Sequence, residues 1–240
     1  MKINQIILLT FLFISIEINA QQAYTGSFLL TFQSSSQDNN DFPMLWNIES
    51  SKEGGRMAME IQDDMIKKGV SKRVLFDMKD STWTMLMEFN KVKQGSRIHA
   101  ADMFREKKKS KINIEAHSTN IKKLIDGYNC NKIIIDTDKY HSEIWVTDKI
   151  DFNLGKIYLL LSHCGMMNEY VRKGDWFLFE TKKQMILEVT SKSKLTGDAY
   201  TLQITDIHPK EINPHFFETN GFRISDIPEG QNCGVVLKEE

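Results

Sequence analysis

Three residue types in this 240-residue chain could do close-range chemistry: six histidines, three cysteines and twelve methionines. The histidines are His99, His117, His141, His163, His208 and His215. None forms an HxH or HExxH pattern, and the stretch from His208 to His215 crosses a proline-containing loop. Zinc needs several ligands converging on one point, and no spacing here supplies them. His163 precedes Cys164, but neighbours on a helix point about 100° apart, so the pair does not make an activated thiolate. Asp63-Asp64 falls in a polar turn, where solvation accounts for it. No Gly-x-Ser-x-Gly elbow is present. The sequence therefore assigns no catalytic residue, no metal ligand and no cofactor, and the chain reads as a non-enzyme.

The methionines are more informative. In an extended chain successive side chains alternate faces. This puts Met57 with Met59 on one face, and Trp83 with Met85 and Met87 on another. Thioethers favour Cu(I), yet copper sites add His or Cys within the same short stretch and none is there. The remaining readings are plain core packing and a pliable apolar wall, because Met adapts to irregular gaps and variable ligands. Met57, Met59, Trp83, Met85 and Met87 are thus the candidate ligand-binding residues. Cys130, Cys164 and Cys233 allow three pairings. The preferred bridge is Cys164–Cys233, with no bridge as the alternative, and Cys130 reads as a mid-strand thiol packed like a small hydrophobe.

Positioning these residues falls to a chain whose start is an address. Lys2 precedes an apolar run over Ile6–Ile16, and Ala20 supplies a small residue before a cut. Glu17 and Asn19 interrupt the run well short of a membrane span. The expected product is an exported chain, periplasmic or extracellular, cleaved after Ala20 and not transmembrane. The 31 Lys+Arg balance 32 Asp+Glu, and 41% of residues are apolar. Such a balance excludes a disordered chain and argues against a nucleic-acid binder, which needs a basic surface. Arg105–Lys111 is the dense basic run, read as a solvated loop, with a contact to anionic lipid or surface polysaccharide as the alternative.

Short β-rich segments with turn residues between them fill the rest: Tyr24–Gln33, Leu45–Ser50, Arg56–Gln62, Arg73–Met78, Thr82–Phe89, Ile112–Ser118, Asn129–Asp136, Ser142–Thr147, Asp175–Thr181, Gln184–Ser191 and Ala199–Ile207. Lys79-Asp80-Ser81 signals a hairpin. Leu159, Leu160, His163 and Met167 at helical spacing predict one principal helix over Asn153–Arg172. Short helical turns are expected near Asp102–Lys108 and Pro214–Glu218. The expected fold is mainly β (α+β): a single curved antiparallel sheet or half-barrel with that helix packed on it. It spans one β-rich domain over residues 21–240, with a flexible tail from about residue 229.

Within Ile121–Asp148, Gly127-Tyr128-x-Cys130 follows a lysine-rich strand, and Glu143-x-Trp145-Val146-Thr147 follows a turn. This block resembles the domain-of-unknown-function family 4412, found mainly in exported proteins of Bacteroidota. The tail Ile207–Phe217, followed by Ile227-Pro228, resembles that family's closing segment. The family is similar in outline to periplasmic lipoprotein carriers, whose curved antiparallel sheet holds acyl chains. The resemblance implies a fold and a compartment and transfers no catalytic residues.

Two functions follow as expectations. One is a carrier or binding module for an apolar or lipid-like ligand. The other is a structural or protein-interaction module of the envelope, with another envelope protein as partner. Export itself is tested by mass analysis of secreted material, which should begin at Gln21. Recovery of Met1 on the mature protein in the membrane fraction would defeat it.

Overall fold

A computed structural model describes residues 24–34, 43–49, 55–62, 69–99, 115–152, 154 and 184–227. Twelve strands are formed: β1 (Gly26–Ser34), β2 (Met44–Glu49), β3 (Arg56–Ile61), β4 (Val70–Asp77), β5 (Thr82–Phe89), β6 (Val92–His99), β7 (Glu115–Ile125), β8 (Tyr128–Asp136), β9 (Tyr140–Thr147), β10 (Met185–Ser193), β11 (Ala199–Pro209) and β12 (Arg223–Ile227). They make one open, curved sheet in the order β12-β6-β5-β4-β3-β2-β1-β11-β10-β9-β8-β7. Every pairing is antiparallel except β12 with β6, which is parallel.

The local reasons are ordinary strand chemistry. β-branched and aromatic residues alternate with polar ones, so one face dries while the other stays wet. Two-residue turns join β5 to β6 through Asn90-Lys91 (φ 48° and 68°) and β7 to β8 through Asp126-Gly127 (φ 49° and 79°). Positive φ at both central positions marks the turn whose twist suits a hairpin. The expected turn at Lys79-Asp80-Ser81 forms between β4 and β5, where the Asp77 carboxylate accepts from the Lys79 and Asp80 N–H groups at 3.0 and 3.1 Å.

The principal helix expected over Asn153–Arg172 is not among the elements of the described residues. Of that segment only Leu154 is described, fully buried; the rest lies outside, as do Asp175–Thr181, Arg105–Lys111, Asp102–Lys108, Asp63-Asp64, His163, Cys164 and Cys233. Beside Leu154, which is helical, the described residues form a 3-10 turn at Pro214–Phe217, capped by the Asn213 side chain. The described residues are therefore mainly β, and one large curved sheet organises them. Two strands went unread in the sequence, β6 and β12, and β7 extends through Lys122-Lys123 to Ile125. β6 and β7 lack a run of alternating apolar residues; β7 is exposed along almost its whole length.

Between β11 and β12 the chain crosses the outer face of β2–β6 as a strap. The Asn213 N–H donates to Asn47 Oδ1 on β2 at 3.0 Å. Arg73 on β4 donates from Nη1 to the His215 carbonyl and from Nη2 to the Glu218 carbonyl, the latter at 2.8 Å. Phe216 is buried beneath the strap, Phe217 covers the Arg56 guanidinium at 4.8 Å, and Phe222 lies over Arg73 and Lys93. Gly95 permits the close of the strap: a Cβ there would sit 2.9 Å from Leu86 Cδ2, 3.0 Å from the Met85 carbonyl and 3.2 Å from Ile224 Cγ1. Burial pulls the Arg73 pKa down, and Glu60, Glu218 and Glu88 oppose that pull.

Arg73 is thus the clamp of the strap. Replacing it with Met removes two charge-assisted hydrogen bonds and should cost about 2–4 kcal/mol. Thermal melting should fall and trypsin should cut after Lys210 faster than in wild type. An unchanged melting point with unchanged cleavage would show that Arg73 clamps nothing.

Candidate functional site

The five residues singled out in the sequence all come to one face of the sheet. Ile48 pairs with Met57, Met57 with Phe76, Phe76 with Trp83, and Trp83 with Ile98 across β2–β6. A parallel row runs Phe28, Trp46, Met59, Val74, Met85 across β1–β5. Met87 follows on the same face, opposite Lys72 and Gln94. Met57, Met59 and Trp83 are buried, whereas Met85 and Met87 are half-buried. This inner wall continues through Leu30, Ile204, Leu202, Val189, Ile144 and Ile133 into the other half of the sheet as one apolar cluster.

Aromatic rings brace the wall. Trp46 stacks on Phe76 at 6.2 Å and on Phe28 at 6.4 Å between centroids. Yet the indole N–H groups of Trp46 and Trp83, both fully buried, have no hydrogen-bond acceptor. A buried donor left unmet costs about 1–3 kcal/mol, so two on one wall are a conspicuous expense. Sequence reading named Trp83 and passed over Trp46, Phe28 and Phe76. The alternation Phe28-x-Leu30-x-Phe32 and the pair Trp46-x-Ile48 carried the signal.

Exposure is graded along β5. Trp83 is 1% exposed, Met85 and Met87 are half-buried, and Phe89, the last residue of the strand, is 49% exposed. Its partner across the turn, Val92, is 56% exposed. All four β5 residues share the inner face because strand side chains alternate. An apolar path therefore leads from the dry wall to solvent.

The outer face offers a contrast. Under the strap lies a cavity of about 90 Å³ lined by Glu60, Ser71, Arg73, Glu88, Lys93 and Phe222 among others. That is room for about three waters, well below the several hundred Å³ of a typical ligand pocket. Its polar groups are paired with one another: Ser71 Oγ donates to Glu60 Oε1 at 3.0 Å, and Lys93 meets Glu88 at 3.5 Å. It reads as a seam between strap and sheet.

Titratable side chains elsewhere pair off locally. His141 faces Asp136 at 3.1 Å, His208 faces Asp206 at 3.0 Å, and His215 faces Glu218 at 3.1 Å. Hydrogen bonds from His141 and then Lys194 hold the Asp136 carboxyl below its usual range. Cys130 is a buried free thiol, pushed up to about 11 chiefly by burial, which keeps it protonated and unreactive at neutral pH. On the outer face of the β7–β10 half, Trp145 lies 5.4 Å from Lys123 Nζ and 5.9 Å from Lys132 Nζ. These lysines are bound to Glu188 at 2.8 Å and Glu143 at 2.7 Å. Among the described residues no three His, Cys, Asp or Glu side chains group to hold a metal ion.

No curated protein matches the chain. Among solved structures it is similar to PNGF-II at 12% identity and a TM-score of 0.42, covering 86% of this chain and 31% of that one. The chain thus spans about a third of the length of PNGF-II. It is also similar to a domain named for outer-membrane lipoprotein sorting from Vibrio parahaemolyticus, at 8% identity and a TM-score of 0.36, covering 83% and 92% of the two chains. A LolA superfamily protein from Nitrosomonas europaea follows at 8% identity and a TM-score of 0.30, covering 83% and 91%. These are likenesses of general outline and leave open what this chain binds. The family model that matches is Domain of unknown function (DUF4412), over residues 26–219; it begins with β1 and ends just past the 3-10 turn of the strap, and the chain belongs to this family.

Proposed function

We propose that this protein is a non-enzymatic binding module or carrier of the cell envelope that holds an acyl chain or similar lipid against the inner wall. In this reading the signal peptide is removed after Ala20, and the mature chain Gln21–Glu240 acts in the periplasm or outside the cell. Met57, Met59, Trp83, Met85 and Met87 contact the guest. The observation that carries the reading is the pair of acceptor-less indole N–H groups of Trp46 and Trp83 set in an otherwise apolar wall. A hydrocarbon tail needs only burial, at about 0.8 kcal/mol per methylene. A carboxyl or ester oxygen at the tail's head supplies the acceptor the indoles lack.

Methionine explains how a packed wall admits a guest. Met85 and Met87 are unbranched, with three rotatable side-chain bonds each, so they swing aside at little cost and suit more than one chain shape. Broad, modest affinity is the consequence. The graded exposure along β5 supports entry from the Phe89 end, where the path is already open.

Fluorescent fatty-acid titration beside thermal melting tests this. Delipidated wild type should bind at micromolar protein. Met87→Asp should abolish binding with the melting point retained, because a carboxylate in an apolar groove loses hydration or charge, whereas Met59→Asp in the fully buried wall should unfold the protein. Trp83→Phe keeps an aromatic ring and removes the donor; it should weaken the carboxylate probe by about fivefold, or roughly 1 kcal/mol, with a modest fall in melting point from the space left by the lost pyrrole. No binding by delipidated wild type rejects the proposal.

A further inference from the structure

Five large apolar side chains are exposed among the described residues: Phe89, Val92, Ile121, Leu124 and Leu195. Singly exposed apolar residues are normal; what counts is where these lie. Phe89 and Val92 face each other across the β5–β6 turn. Leu195, 82% exposed, sits on the turn between β10 and β11. From β5 to β10 the order is β5-β4-β3-β2-β1-β11-β10, and each of these pairings is antiparallel. Six antiparallel steps return the original direction, so β5 and β10 run the same way and both turns lie at one end of the sheet. Strand spacing sets β5 and β10 about 29 Å apart across the sheet, and the register carries Leu195 about six residues beyond the level of Phe89.

Both turns are built, and neither needs an apolar residue for its geometry. Asn90-Lys91 closes the first with positive φ at both positions. In the second, Ser193 Oγ accepts from the Leu195 and Thr196 N–H groups at 3.2 and 3.1 Å, and Thr196 Oγ1 donates to Asp198 Oδ2 at 2.6 Å. Lys194 ties this turn to the β8–β9 turn, donating from Nζ to the Thr137 carbonyl at 2.8 Å. Phe89, Val92 and Leu195 are thus displayed to water by ordered backbone. Around Phe89 and Val92 the charged groups are Lys72, Lys91 and Lys93 against Glu88. Around Leu195 they are Lys139 and Lys194 against Asp136, Asp138 and Asp198. The excess of positive charge is at the β5–β6 turn.

We infer that this end of the sheet docks on a lipid bilayer bearing anionic headgroups. Phe89 and Val92, with Leu195 as a second foot, enter the interfacial layer, and Lys72 and Lys91 meet headgroup phosphates. The partner is a bilayer because the apolar side chains stand singly at turn tips, with lysines beside the larger pair. Docking there sets the open end of the Phe89–Met87–Met85–Trp83 path against the membrane. The inference rests on the proposed function only for what passes along that path; adhesion to the bilayer stands separately.

The test is co-sedimentation of the full-length mature protein with sucrose-loaded vesicles of phosphatidylcholine and phosphatidylglycerol. Wild type should pellet at low salt and be released at high salt, and pure phosphatidylcholine should retain far less. Phe89→Ser with Val92→Ser should lower the apparent affinity by about tenfold or more at an unchanged melting point. Ile121→Ser with Leu124→Ser, equally exposed but on edge strand β7, should bind as wild type does. Wild type left in the supernatant, equal loss from both double variants, or salt-independent binding to pure phosphatidylcholine each overturns the inference. Fatty-acid titration of the wild type separates the two ideas: wild type that fails to pellet yet still titrates removes docking alone, and wild type that pellets yet does not titrate removes the cargo alone.

Discussion

Register across β1–β5 is the constraint on which everything else depends. Phe28, Trp46, Met59, Val74 and Met85 form one row, and Ile48, Met57, Phe76 and Trp83 the next. A slip of one residue in any strand would turn its share of these rows toward the strap. It would also bring Arg73, Asn47 or Thr84, which lie buried on the outer face, against the apolar wall. Aromatic stacking pins the register. Each ring pair among Phe28, Trp46 and Phe76 adds about 0.5–1.5 kcal/mol beyond burial, and it does so in only one alignment.

The same register decides how the two faces differ. Inside, dryness is so complete that even indole N–H groups go without acceptors. Outside, each polar group under the strap is answered: Asn47 by the Asn213 N–H, Glu60 by Ser71, Arg73 by two main-chain carbonyls. Unmet polar groups are expensive in a fold of ordinary stability, and here they fall on the one face whose other features suit an apolar guest.

Strand β5 was legible down to its limits, Thr82–Phe89, because Trp83, Met85 and Met87 alternate with Thr84, Leu86 and Glu88. The turn at Lys79-Asp80-Ser81 was legible for the same local reason. β6 was not, since Gly95 sits mid-strand and Lys93, Gln94, Ser96 and Arg97 carry no apolar alternation; its partners are supplied from far away, by β5 and by β12. Arg73 could not be read as a clamp, because its partners at His215 and Glu218 lie 142 and 145 residues along the chain. Side-chain chemistry that acts within a strand or a turn is written locally. What binds two distant segments through main-chain carbonyls leaves no residue-type signature at the acceptor end.

Among the described residues the sheet ends at β12 and β7, and each edge is blunted by a different device. β12 caps β6 with a five-residue parallel strand, too short to template further pairing. At the other edge β7 carries Lys122 and Lys123 and an irregular register against β8 between Ser118 and Lys122; a bulge and charged side chains both discourage edge-to-edge association. Ile121 and Leu124 are exposed there, but they flank those lysines within a strand guarded against partners. Phe89, Val92 and Leu195 lie away from these two edges. They stand at turn tips, where a polar residue would satisfy the backbone equally well, and along β5 the tip joins the dry wall through Met87 and Met85. In a fold that protects its edges and answers the polar groups under its strap, an unprotected apolar end continuous with the interior marks the place where the interior meets something other than water.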